Sequence, residues 1–314
     1  MNKPTNNRPD KIIADASKQN WVDAYAPETV QPYFKLSRID RPIGTWLLLF
    51  PGLWSIALAA PAGAFPDAWL VLLFAIGAFV MRGAGCTLND IVDRKYDGMV
   101  ERTKKRPIPS GQVTVFKAFL WLGFQCLIGL TILLQFNLNA ILVGAASLIL
   151  VAIYPFAKRF TYWPQFFLGL AFNYGALLGW VAVTGSLSPI AVIVYLGGIT
   201  WTLGYDTIYA HQDKEDDVLI GVKSTALKLG AKTGDWLFGF YLTTFMAILI
   251  AGWMTDLYVP FYIGMAGAAT HLFWQVKDLD IDDADRCLML FKSNKIFGAI
   301  VLFAIIAGKF NLLA

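Results

Sequence analysis

Asn89, Asp93 and Asp97 recur at every fourth residue of "NDIVDRKYDGMVERTKKRPIPSG", residues 89–111. On a helix that spacing stacks all three on one face. Asp90 lies about 100° away in the same turn. A second stretch, "YDTIYAHQDKEDDVLIGVKSTA" (205–226), repeats the spacing at Asp213 and Asp217, with Asp206 seven residues before Asp213. Carboxylates one turn apart repel each other unless a cation lies between them. Hard oxygen ligands suit Mg²⁺, Mn²⁺ or Ca²⁺, and Mg²⁺ typically combines a few carboxylates with substrate phosphates. Two Mg²⁺ ions on Asp93, Asp97, Asp213 and Asp217 would balance four negative charges. A diphosphate, at about −3, would still need partners. Arg102, Lys104, Lys105, Arg106, Lys158, Arg159 and Lys223 lie toward the same end of the chain's apolar segments and can supply them. Any one of these aspartates could be an ordinary loop charge, and Lys104 and Lys105 could serve orientation alone. Two acidic clusters with one spacing, both at the ends of apolar segments, argue for a shared anion-and-metal site.

The chain that must position these groups has 314 residues, 57% hydrophobic and 15% charged, with mean hydropathy +0.54. A soluble domain carries about a quarter charged residues. The apolar runs approach the ~20 residues a spanning helix needs, and they are continuous rather than alternating. This predicts an all-α polytopic membrane protein. Nine spans are expected, at 43–63, 67–88, 115–135, 138–157, 165–185, 189–209, 235–254, 257–275 and 295–313. The stretch before the last, "KDLDIDDADRCLMLFKSNK", is too charged to lie in lipid. Residues 1–35 read as a polar cytoplasmic tail, and 36–314 as the transmembrane domain. The tail lacks the apolar core and cleavage site of a secretory signal.

Connections after spans two, four, six and eight are rich in lysine and arginine, whereas those after one, three, five and seven have none. Positive residues stay on the cytoplasmic side. The amino terminus is therefore expected there and the carboxyl terminus opposite, with a central polar cavity opening to the cytoplasm. The three cysteines and two histidines are too scattered for a disulfide framework or a metal cage. The glycines within the spans read as helix-packing positions. Arg82, inside a span two turns before Asn89, is expected to face a functional cavity or a buried partner. His211 reads as a loop histidine.

Together these stretches resemble the UbiA superfamily of intramembrane prenyltransferases, in its 4-hydroxybenzoate branch. Residues 89–111 are similar to that family's NDxxDxxxD motif, and "YDTIYAHQDKEDD" to its second, DxxxD motif. "SRIDRPIGTWLLLFPGLWS" (37–55), "YPFAKRFTYWPQFFLG" (154–169) and "IGVKSTA" (220–226) resemble the same branch. The resemblance implies nine helices and an electrophilic aromatic prenylation with polyprenyl diphosphate and 4-hydroxybenzoate as substrates. It implies that Asn89, Asp93 and Asp97 hold one Mg²⁺–diphosphate edge, and Asp213 and Asp217 the other. Asp90, Asp206, Arg38 and Asp40 match the pattern with less defined roles. Arg159 matches the position that holds the acceptor's carboxylate, with Lys158 as its alternative. Tyr154, Tyr205 and Tyr209 could shield an allylic cation or serve as interfacial tyrosines. The branch also implies ubiquinone biosynthesis and a bacterial inner membrane. Sister enzymes with another aromatic or tetrapyrrole acceptor, and a transporter with a metal site at one end, are the alternatives.

Overall fold

The computed structural model describes residues 20–99, 103–212 and 214–311, and these contain helices and no strand. In chain order the helices are α1 (Trp21–Tyr25), α2 (Gln31–Leu36), α3 (Ile43–Ala59), α4 (Ala68–Asp97), α5 (Val115–Leu133), α6 (Leu138–Ile153) and α7 (Ala157–Phe160). There follow α8 (Pro164–Phe172), α9 (Gly175–Thr184), α10 (Pro189–Ala210), α11 (Lys214–Ile220), α12 (Thr225–Leu229), α13 (Thr233–Met254), α14 (Val259–Lys277) and α15 (Ala284–Gly308).

Local chemistry starts the long helices. Asp67 accepts from the backbone N–H of Trp69 and Leu70 at the head of α4, and Thr114, Ser188 and Asp283 cap α5, α10 and α15 in the same way. Asn137 caps α6 and also donates to the carbonyls of Val181 and Ala182, joining the start of α6 to the end of α9. On the opposite helix end, Lys309 donates from Nζ to the carbonyls of Leu58 and Ala60, each at 2.7 Å. These are among the C-terminal carbonyls of α3 that no intrahelical N–H can reach.

The core lies where α3, α10 and α15 meet. Trp54, Trp201 and Phe297 are fully buried against one another, and the Trp54 indole donates to the carbonyl of Gly298 at 3.0 Å. α3 and α9 approach so closely that a Cβ at Gly179 would sit 2.6 Å from the Gly52 carbonyl oxygen, which requires glycine there. Outward, α5 exposes Phe116, Leu120 and Leu127, a surface suited to lipid.

Six segments are long and apolar enough to cross a membrane: 68–97, 115–133, 138–160, 164–184, 225–254 and 284–308. The α3 segment is shorter, and α10 and α14 stand outside that set, so the expected count of nine does not follow from length and composition. Three expectations change. The fifth predicted span is two helices, α8 and α9, broken at Asn173–Tyr174, where the Asn173 amide is buried and donates to Gly169 O and Thr202 Oγ1. The last helix begins at Ala284, not 295, because Asp283 caps it. The tail boundary at residue 35 cuts through α2, whose Leu36 packs with Ile91, Ile108, Val113 and Ala118. Residues 1–19 lie outside the described part.

Candidate active site

α4 continues without a break past the apolar part of its sequence to Asp97, as the spacing predicts. Asp90 and Asp93 are fully buried on it, and Asp97 nearly so. Arg38 reaches Asp90 from the α2–α3 turn, with Nη2 at 2.7 and 3.0 Å from the two carboxylate oxygens. Its backbone sits in the left-handed region, at φ 55, which costs a non-glycine residue energy and tends to occur at functional sites. Burial disfavours the Arg38 charge, but Asp90 together with Cys86 and Asp40 outweighs it and the net shift of the guanidinium is upward. The turn after α4 folds back, so that Arg106 Nη1 lies 2.8 Å from Asp97 Oδ2 and 3.2 Å from Asp90 Oδ1. Thr103 Oγ1 donates to the Asp97 carbonyl at 2.8 Å. Lys158 Nζ bonds Asp93 Oδ2, and Arg159 lies 3.5 Å from Asp93 Oδ1.

Three carboxylates thus face four cations: Arg38, Arg106, Lys158 and Arg159. The set carries net positive charge before any metal enters, which favours an anionic ligand. Asp93 Oδ1 is buried and accepts no hydrogen bond. A buried carboxylate oxygen left unbonded is costly, and it is the kind of hard donor a divalent cation uses, so these residues fit a metal ion. Among the described residues no group of three or more His, Cys, Asp or Glu side chains is placed to hold one by itself.

A cavity of about 200 Å³ opens beside this cluster. Arg38, Asn89, Asp90 and Arg106 line its polar side. Tyr154, Tyr205, Asp206 and Tyr209 line another wall, with Leu168 and Phe172. Tyr205 is held by Thr202, 2.9 Å from its hydroxyl, and packs edge-on to Trp201. Asp93 and Asp97 sit next to the lining rather than in it.

The second acidic segment differs from its expectation. α10 stops at Ala210, so Asp217 does not extend a membrane helix as Asp93 and Asp97 do. His211 N–H and Gln212 N–H bond only three residues back, to the Ile208 and Tyr209 carbonyls, which tightens the chain and ends the helix. Asp217 stands on the separate α11, outside the cavity lining. Asp213 lies outside the described residues, as does Arg102. Lys214 bonds Ile281 O at 3.0 Å and the Asp282 carboxylate. The His211 side chain is buried against Thr233 Oγ1 at 2.9 Å. Burial, then Lys214, push its pKa down to about 4 against an opposing pull from Asp282, so the ring is neutral at pH 7.

Other predicted contacts fall elsewhere. Lys104 is exposed in the 103–111 turn. Lys223 Nζ rests 3.4 Å from the Phe160 carbonyl, outside the lining. Arg159 is outside it too, donating to Val92 O and packing on Tyr96 and Phe156. Arg82 does line the cavity, over the Phe172 ring at 5.2 Å, with its Nε buried and unbonded. Arg41, Thr103 and Lys292 join the lining without having been singled out. Lys292 lies in the charged stretch before residue 295, whose composition conceals the helical register that brings it to the lining.

The structure resembles a UbiA homolog from Aeropyrum pernix K1 solved in its apo form, with TM-score 0.71 and 21% identity over 83% of this chain and 96% of that one. It also resembles a UbiA homolog from Archaeoglobus fulgidus bound to GPP and Mg²⁺, with TM-score 0.66 and 17% identity over 88% of this chain and 99% of that one. At those identities the likeness is one of fold. By sequence the chain is 50% identical to the mitochondrial 4-hydroxybenzoate polyprenyltransferase of Arabidopsis thaliana, over 95% of this chain and 73% of the relative. It is 49% identical to the mitochondrial enzyme of the same name from Homo sapiens, over 90% of this chain and 77% of the relative. The word mitochondrial in both names gives no support to the expected bacterial inner membrane. The model of the UbiA prenyltransferase family matches residues 48–301, and this chain, an integral membrane protein, belongs to that family.

Proposed function

We propose that the chain transfers a polyprenyl group from polyprenyl diphosphate to 4-hydroxybenzoate, at the ring carbon ortho to the hydroxyl, and releases diphosphate as a step of ubiquinone biosynthesis. The observation that carries this reading is the cluster of buried carboxylates and surplus cations at one end of a cavity walled elsewhere by tyrosines and apolar side chains. The relatives' shared name supports the acceptor.

Asn89, Asp93 and Asp97, with Asp213 and Asp217 from the second segment, would hold Mg²⁺ in this reading, two ions by charge balance. Bound there, the metal supplies positive charge to the diphosphate oxygens. Arg38, Arg106 and Lys158 add fixed positive charge where negative charge develops as the allylic C–O bond breaks and its electron pair stays with the diphosphate. Lys104, in the 103–111 turn, and Arg102 are assigned to the same anion. Tyr154, Tyr205 and Tyr209 exclude water from the allylic carbon and face it with electron-rich rings. The ortho carbon of the phenol then forms the new C–C bond, and loss of its proton restores the aromatic ring. Asp206 is the carboxylate we assign to that proton.

Arg82 is the better candidate for the acceptor's carboxylate than Arg159. Its buried Nε lacks a partner, which a carboxylate would supply, whereas Arg159 already donates to Val92 O and packs on Tyr96 and Phe156. We also read nine crossings, with the lysine-rich connections and the amino terminus on one face and the carboxyl terminus on the other.

The test is an acceptor assay. Purified protein is given one polyprenyl diphosphate and, in parallel, 4-hydroxybenzoate, a naphthoate and homogentisate. Label should enter 4-hydroxybenzoate. Transfer to another acceptor and never to 4-hydroxybenzoate would reject the assignment.

A further inference from the structure

Lys223 and Lys228 approach one aromatic ring from a part of the surface that the active site does not use. Their Nζ atoms lie 5.3 and 5.9 Å from the centre of the Tyr162 ring. Neither is paired with a carboxylate among the described residues. The Lys228 ammonium makes no hydrogen bond there, and the Lys223 ammonium has only a long one, at 3.4 Å, to the Phe160 carbonyl. The scaffold beneath them is fixed. Lys223 N–H donates to the Lys158 carbonyl at 3.1 Å, and Thr225 N–H to the buried Gln165 side chain at 3.2 Å. These bonds tie the start of α12 and the residues before it to α7 and α8.

The patch lies at the ends of two membrane-crossing segments, 164–184 and 225–254. Phe160, Tyr162, Phe166 and Trp236 are exposed around it. Large aromatic side chains at such a level mark the boundary between hydrocarbon and headgroups. Two ammonium groups held there, with their charge unanswered by the protein, call for an anion at headgroup depth. The patch shares the face of the active site, since Lys158 joins both, but its lysines lie outside the cavity lining.

We propose that Lys223 and Lys228 form a binding site for the headgroup phosphate of an anionic phospholipid, whose acyl chains lie along the exposed aromatic side chains. The lipid is the occupant rather than a soluble phosphate, because an aromatic, apolar rim adjoins the cations on the membrane side. The site is independent of the transfer reaction.

The test uses the full chain in mild detergent, with phosphatidylglycerol and phosphatidylcholine of matched acyl chains, read by native mass spectrometry. The protein should retain phosphatidylglycerol in preference. Each lysine near a headgroup contributes roughly fivefold, so the double variant Lys223→Met, Lys228→Met should bind it about thirty-fold more weakly. Phosphatidylcholine retention should not change, and a double Lys→Arg variant should keep the preference. Should the double methionine variant fail to fold, Lys228→Met alone, which breaks no hydrogen bond in the described structure, should lose about fivefold. Equal retention of the two lipids by the unaltered protein would overturn the proposal. So would undiminished phosphatidylglycerol retention by a folded variant. Displacement of the lipid by inorganic diphosphate would overturn it as well, and would return Lys223 to the diphosphate site.

Discussion

The two acidic segments share a spacing and differ in construction. The first is the last turns of a thirty-residue helix, with every aspartate buried and bonded to a cation. The second begins where α10 has ended, and its Asp217 rides on a seven-residue helix. That short helix is moored at its first residue by Lys214 to the loop before α15. The first segment is therefore built into the bundle, while the described start of α11 is attached to it through Lys214.

This contrast predicts a graded response to substitution. The largest effect belongs to the built-in half. Asp93→Ala or Asp97→Ala should lower kcat by roughly 10²–10³-fold, measured as label transfer by protein shown to be inserted in membranes. Next, Arg38→Met leaves Asp90 buried with only the longer Arg106 contact. Breaking a buried pair in this way costs about 3 kcal/mol, which should appear as a lowered Tm in detergent. Asp217→Ala, on the seven-residue α11, should lower Tm by less than Arg38→Met does, and an equal loss in the two variants would erase the distinction between the segments. Arg82→Met should raise KM for the acceptor by roughly tenfold to a hundredfold, the worth of a charged hydrogen bond, and leave KM for the prenyl diphosphate in place. Arg159→Met would show that pattern instead if the carboxylate lies there. The smallest effect is expected at the mooring. Lys214→Met or Asp282→Asn removes an ion pair whose carboxylate is exposed to solvent, where screening leaves it little weight, so Tm should barely move.

What could be read in advance follows from the same contrast. The helical interval of Asn89, Asp93 and Asp97 was legible because one uninterrupted helix carries it, and a local period is all that a sequence displays. The partners of those residues were not legible. Arg106 reaches Asp97 because the intervening turn reverses, and Arg38 reaches Asp90 across fifty-two residues from a left-handed backbone position. The interval between Asp213 and Asp217 suggested a continuous helix, but hydrogen bonds after Ile208 and Tyr209 close off α10 first. Lys292 was hidden for a different reason. A charged stretch signals a loop by composition, yet Asp283 caps a helix inside it and turns Lys292 toward the cavity. The break at Asn173 left no apolar gap in the sequence, because the amide that fills it hydrogen-bonds within the bundle.

The central claim is that the carboxylates at the end of α4 hold a divalent cation against which diphosphate departs. The most direct measurement is transfer of the prenyl group by the purified chain in EDTA, then after Mg²⁺ is restored, for the unaltered protein and for Asp93→Ala. The account predicts no product in EDTA, recovery with Mg²⁺, and no recovery in the variant. Full turnover in EDTA, or in Asp93→Ala, would contradict it.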